Sequence, residues 1–299
     1  MTRGEAATAS AARGGADNAA QIAEWNGAQG LRWAQLQRET DAIVAPFGQA
    51  AMALASPVAG ERVIDLGCGC GQTSFELALR VGGSGRVLGV DVSRPMLDVA
   101  RAMAVAPGSA PLEFAEADAS QAPLPLGTDL LFSRFGLMFF AEPAPAFAHL
   151  RAALRPGGRC VFVCWRTPRD NGWAMTPLAA ARQAMGISPA PSDPTAPGPF
   201  ALADQERLRA ILAQAGFERV ELRRFDAPVV LGATPREAAQ AAARIGPTAR
   251  LARELGEHRL PAIVDAVEQA LVPLAAADGR VSLSGSTWLV AAFNPHHGR

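Results

Sequence analysis

Between positions 63 and 74 the chain reads VIDLGCGCGQTS. A short apolar run ends in Asp65, and Gly67, Gly69 and Gly71 then alternate with Cys68 and Cys70. Glycines between a strand and a helix leave bare backbone against which a ligand can lie. The helix that follows offers its N-terminus to negative charge. A second acid, Asp91 in GVDVS, lies about 20 residues beyond the glycines, where a carboxylate that binds ribose hydroxyls is expected. A third, Asp118, is followed by Ala119 in EADAS. This pattern suits a nucleoside-bearing cofactor. The dinucleotide form G-x-G-x-x-G needs its last glycine at 72, where Gln72 stands instead.

These residues need a sheet to bring them together, and the chain predicts one. ERVIDL, GRVLGV, LEFAEA, DLLFSRF and GRCVFVCW read as strands, and helical segments separate them. Ser93 with Pro95 is expected to cap the helix RPMLDVARAMAV through its side chain. Nearly unbroken apolar strands alternating with helices imply a parallel sheet covered on both faces. FERVELRRF and STWLVAAF add two further strands. The helical stretch between them breaks at Gly246-Pro247 and near Pro261. The expected class is therefore α/β, Rossmann-like, with a mostly parallel sheet of seven strands. Residues 1–16 read as a disordered tail, 17–55 as N-terminal helices, 60–165 as the cofactor-binding core, the proline-rich 166–200 as a loop or lid, and 232–284 as a helical cap over the ligand edge.

The run D-x-G-x-G-x-G from Asp65 to Gly71 resembles the first motif of class I S-adenosylmethionine-dependent methyltransferases. WNG near the N-terminus, FSRFGLMFF and VCWRTPRDNGW are similar to bacterial small-molecule members related to the ubiquinone and menaquinone C-methyltransferases. The resemblance implies S-adenosyl-L-methionine as cofactor. Its amino-acid end would lie on Gly67, Cys68, Gly69 and Gly71, with Asp65 facing the amine directly or through water. Asp91 would hold the ribose, and Val92 and Met96 would flank the adenine. Asp118 and Ala119 would meet its amino group, and Ser133 would lie beneath the cofactor. Trp25, Trp33, Arg134, Phe135 and Trp165 are the candidate acceptor pocket. Trp25 and Trp33, eight apart, are compatible with one helical face. The implied reaction moves a methyl group to an O, N, C or S nucleophile of a small molecule. A non-catalytic binder of the same cofactor is the alternative.

Composition narrows the chemistry further. There are 28 basic and 28 acidic residues, so no basic face for nucleic acid is indicated. The chain contains no lysine and no tyrosine, which removes Schiff-base chemistry, a Walker lysine and the N/D-P-P-Y motif. Cys68, Cys70, Cys160 and Cys164 lack the spacing of a zinc knuckle and read as buried thiols. No catalytic residue is assigned. The candidate bases are His149 and His258, with His149 expected to face water, and Glu142 and Asp170 on loops at the ligand edge. His296 and His297 read as tail residues. No apolar run approaches the ~20 residues of a membrane span, and no secretory leader is evident, so a cytoplasmic protein is expected. The acceptor's identity and the oligomeric state, a homodimer included, stay open.

Overall fold

A computed structural model of the chain describes residues 18–188 and 193–296. The expected tail over 1–16, His297 and part of the proline-rich loop lie outside the described residues. The described residues begin with three consecutive helices, α1 (18–26), α2 (Ala28–Gln35) and α3 (Gln37–Ala55), which break at Gly27 and Leu36. The core then alternates β1 (Arg62–Leu66), α4 (Gln72–Val81), β2 (Arg86–Asp91), α5 (Arg94–Ala102), β3 (Leu112–Glu116), β4 (Thr128–Arg134), α6 (Pro143–Ala153) and β5 (Leu154–Trp165). Beyond it lie α7 (Gly172–Ala184), α8 (Gln205–Gln214), β6 (Glu218–Gly232), α9 (Pro235–Ala242), α10 (Gly246–Leu255), α11 (Leu260–Leu271) and β7 (Val281–Phe293).

All seven strands form one sheet in the order β3-β2-β1-β4-β5-β7-β6. The first five are parallel, and β7 enters antiparallel between β5 and β6. The chain leaves β1 for one edge and returns through β4 to the other side. A crevice therefore opens at the carboxyl ends of β1 and β4, where open α/β sheets bind ligands. Val63, Ile64 and Leu66 on β1 and Leu130, Leu131 and Phe132 on β4 are buried, as strands covered on both faces require. Phe47 of α3 packs against the antiparallel β6–β7 pair, with its ring 5.9 Å from that of Phe225. A Cβ on Gly285 would lie 2.7 Å from the Phe47 ring, so that position has room only for glycine. Phe47, Phe132, Phe147 and Phe162 are all fully buried.

Three local details depart from expectation. β5 begins at Leu154, because Thr128 pairs with Leu154 before the register shifts, so the PGG turn falls inside the strand. Ser93 occupies the N-cap position of α5 but makes no side-chain cap; its hydroxyl donates to the Trp25 carbonyl at 2.8 Å. His149 does not face open water, because its Nε2 lies 2.8 Å from the Ala122 carbonyl oxygen. The α9 cap behaves as its sequence suggests. The Thr234 hydroxyl accepts from the Glu237 amide, while Glu237 reaches back to the Ala233 amide at 3.0 Å.

The end of α3 is bound to the sheet by Arg159. Its guanidinium donates to both oxygens of the nearly buried Glu61, at 2.6 and 2.9 Å, and to the Ala55 carbonyl. Removing the cation leaves a largely desolvated carboxylate unpaired, which costs more than a lost surface bridge. Arg159→Met is expected to lower stability by roughly 3 kcal/mol, read as a shifted midpoint in urea denaturation with an unchanged slope.

Candidate cofactor and acceptor site

The turn that leaves β1 is a cradle of backbone. Gly67, Gly69 and Gly71 have φ of 65°, 56° and 85°, in the left-handed region where side chains are strained. Gly67 also has no room for a Cβ, which would lie 2.7 Å from the backbone at Gly136 Cα, and one on Gly69 would lie 2.7 Å from the Met96 methyl and displace it. Asp91, at the end of β2, fixes this backbone. Its Oδ2 accepts from the Gly69 amide at 2.7 Å and its Oδ1 from the Ser93 amide at 2.8 Å. Burial raises the Asp91 carboxyl above its ordinary value, and those amide bonds oppose the rise.

The N-terminal helices are fastened to the same place. The Asn26 amide donates to the Val92 carbonyl at 2.7 Å and accepts from the Arg94 amide at 3.0 Å. With the bond from Ser93 to Trp25, this pins the turn after β2 from above. At the end of β3, Asp118 accepts from the Ser120 amide, from Gln121 and from Asn18 of α1. Trp25 and Trp33 do not share one continuous helix, since Gly27 separates α1 from α2. Their rings nevertheless meet edge to face with centroids 5.9 Å apart, and Phe139 approaches Trp25 in the same way at 5.4 Å.

One cavity runs through all of this. It is bordered by Gly67, Cys68, Gly69, Asp91, Val92, Met96, Asp118 and Ala119, and roofed by Trp25 and Trp33. It then continues past Arg134 and Phe135 to a wall of Trp165 and Trp173, with Ile43, Pro199, Ile245 and Gly246 at its far side. Arg134 donates to Asp41 at 2.6 Å and to Gln72 at 2.9 Å, so it spans α3 and the start of α4. Phe135 is held at φ 62°, a strained conformation for an aromatic residue. Its ring stacks on Trp165 with centroids 4.4 Å apart and planes 17° from parallel. Strain of this kind persists only where the surroundings impose it, and such positions cluster in ligand clamps.

Asp65, Gly71 and Ser133 do not border the cavity. Gly71 packs against Phe114 and Ala100. Ser133 is buried under the turn and donates to the Leu66 carbonyl at 2.7 Å. Asp65 lies beneath the glycines, where its Oδ2 accepts from Thr73 at 2.7 Å and Ser74 at 2.6 Å, anchoring the first turn of α4. Its Oδ1 is buried with no hydrogen-bond partner. The other candidate bases also stand outside the cavity. His258 is on the exposed turn before α11, Glu142 precedes α6, and Asp170 is bonded to Thr167.

Sequence reasoning missed Asn18, Asn26, Asp41, Gln72 and Trp173. Only the last lay within a motif already singled out after β5, while WNG contained Asn26 without revealing its clamp. The thiols are not nucleophiles here. Cys68 and Cys70 are raised, chiefly by burial, Cys70 to about 12. All four cysteines are free and buried, and no cluster of metal-binding side chains occurs among the described residues.

Burial pushes the Asp65 carboxyl up from 3.8 to about 6, against the hydrogen bonds of Ser74 and Thr73. The folded chain therefore retains a proton that the unfolded chain releases. This group lowers stability progressively between about pH 4 and 6, by about 3 kcal/mol in total. Asp65→Asn is expected to flatten the fall of stability with pH across that window, measured by urea denaturation at several pH values. An unchanged slope would mean that the carboxyl is not desolvated.

The site fits S-adenosylmethionine on its own features. A cradle of left-handed glycines, a carboxylate at the end of β2 and an unpartnered Asp65 oxygen beneath the turn suit a ligand with a ribose and a positive amino-acid end. Residues 63–158 match the family model described as a methyltransferase domain. Over 183 residues the chain is 33% identical to a demethylmenaquinone methyltransferase of Clavibacter sepedonicus, covering 58% of this chain and 73% of that one. It is also 33% identical over 118 residues to the aklanonic acid methyltransferase DauC of Streptomyces sp. (strain C5), covering 39% of this chain and only 54% of the relative. The crystal structure of a Bacillus halodurans C-125 protein shares the fold at TM-score 0.54 and 19% identity, over 83% of this chain and 98% of the other. The chain belongs to the class I methyltransferases that use S-adenosylmethionine.

Proposed function

We propose that this protein methylates a small, largely apolar acceptor that lies against Phe135, Trp165 and Trp173. The observation that carries the reading is the continuity of the cavity from the glycine turn to that aromatic wall. A cofactor laid along Gly67 to Gly71, with its ribose on Asp91 and its adenine between Val92 and Met96 towards Asp118 and Ala119, leaves the aromatic end free. S-adenosylmethionine supplies the methyl group on a positively charged sulfur. The names of the two relatives point to small organic acceptors, and the zero net charge of the chain agrees.

The protein's contribution is alignment and water exclusion. Holding an acceptor atom in line with a bound electrophile can remove several kcal/mol of barrier. Trp25 and Trp33 cover the cofactor side, and the helices between β6 and β7 place Ile245 and Gly246 over the acceptor side. Among the described residues no histidine or glutamate borders the cavity. Its carboxylates are all engaged, Asp41 with Arg134, Asp91 with backbone amides, and Asp118 with Asn18, Ser120 and Gln121. The acceptor that suits such a site ionises without a strong base, as a phenol or an enol does, and the sulfonium charge favours its anion.

Incubation with methyl-labelled S-adenosylmethionine and a panel of phenols and enols is expected to release S-adenosylhomocysteine in step with a labelled product. Tight cofactor binding without turnover on any acceptor would favour a binder over an enzyme. Asp91→Ala is expected to weaken S-adenosylmethionine binding about 100-fold or more by calorimetry, since it removes a charged acceptor for two hydroxyls. Near-unchanged affinity would contradict the ribose placement.

A further inference from the structure

Three cavities meet at one seam. The reaction cavity, a small void behind Trp173 and an open groove between α3 and the end of β6 all share two side chains, Ile43 and Ile245. Protein interiors interdigitate with few voids, so three converging on a single pair of residues mark a place where packing has been left incomplete. Both isoleucines are only half-buried. The groove beyond them is apolar, formed by Leu36, Ala42, Val230, Leu231, Gly232 and Ala233, and the exposed Glu39 and Arg244 stand at its rim. Val230, 44% exposed, is among the large apolar residues the protein leaves in water.

The backbone on both sides of the seam lacks full helical support. Pro46 lies inside α3 and has no N–H for the carbonyl four residues back, that of Ala42, next to Ile43. Ile245 falls in the joint between α9 and α10, followed by Gly246 at φ 78° and then Pro247. A Cβ on Gly246 would come within 2.9 Å of the Trp173 ring, so the joint is pressed against the acceptor wall itself. Ile245 can therefore turn aside without unwinding a regular helix.

We propose that the groove is an extension of the acceptor site, reached between Ile43 and Ile245, and that it takes a flexible apolar arm of an acceptor whose reacting ring lies on Phe135 and Trp165. This rests on the acceptor placement proposed above. The arm's far end emerges between Glu39 and Arg244, so a polar terminus is tolerated there. Ile43 and Ile245 then set which acceptor lengths bind.

The test uses 4-alkylphenols from ethyl to octyl, titrated into the full chain loaded with S-adenosylhomocysteine and followed by tryptophan fluorescence. Affinity is expected to rise roughly 3-fold for each added methylene up to octyl. In Val230→Asp, which puts a charge in the groove, and in Ile245→Trp, which fills the gap, the rise is expected to stop at short chains. The octyl-to-ethyl affinity ratio is then at least ~10-fold lower than in the unaltered protein. A flat dependence on chain length, or the same dependence in all three proteins, overturns the proposal. S-adenosylhomocysteine is titrated alone first. Failure to bind it would overturn the reading of the whole site, whereas binding it with no length dependence overturns the groove alone.

Discussion

The site depends on the hydrogen bond that the Gly69 amide donates to Asp91. A turn of three left-handed glycines is entropically costly and has no side chains of its own to hold it. Asp91 fixes it from the side, and Asp65 ties the following helix from below through Thr73 and Ser74. The two acids come from adjacent parallel strands, since Asp65 lies beside Gly89 in the β1–β2 register. Their burial costs free energy, visible in the raised carboxyls of both. That cost is reduced when a positive ligand lies over the turn. The sheet, with its chain reversal between β1 and β4, serves to bring these acids and the bare backbone together.

Much of this was legible in the sequence because it depends on local pattern. The strands of the core follow from apolar runs, and the cradle follows from three alternating glycines between a strand and a helix. Asp91 was placed by its distance from the turn, and it stands against Gly69. What escaped were contacts between segments far apart in the chain. Asp65 was expected to face the cofactor's amine; it lies under the turn, two residues before Gly67, where one oxygen anchors α4 through Thr73 and Ser74 and the other has no partner. Ser93 looked like a helix cap, but the Trp25 carbonyl claimed its hydroxyl. The ion pair of Arg134 with Asp41 joins positions 93 residues apart and carries no local signal.

The two ends of the cavity differ in character. The cofactor end is built from backbone amides and carboxylates, which fix position and charge. The acceptor end is built from stacked rings, with a strained Phe135 at the junction. Such a division suits a reaction in which the cofactor carries the electrophile and the protein aligns its partner and excludes water. Among the described residues no helix is long and apolar enough to cross a membrane.

In the proposed complex S-adenosylmethionine lies along the glycine turn with its ribose on Asp91 and its adenine towards Asp118. Amide hydrogen exchange with and without the cofactor tests this most directly. Slower exchange on binding is expected at residues 67–71, at Val92 and Ser93, and at residues 118–120. Unchanged exchange at all three, or protection confined to the helices between β6 and β7, would contradict it.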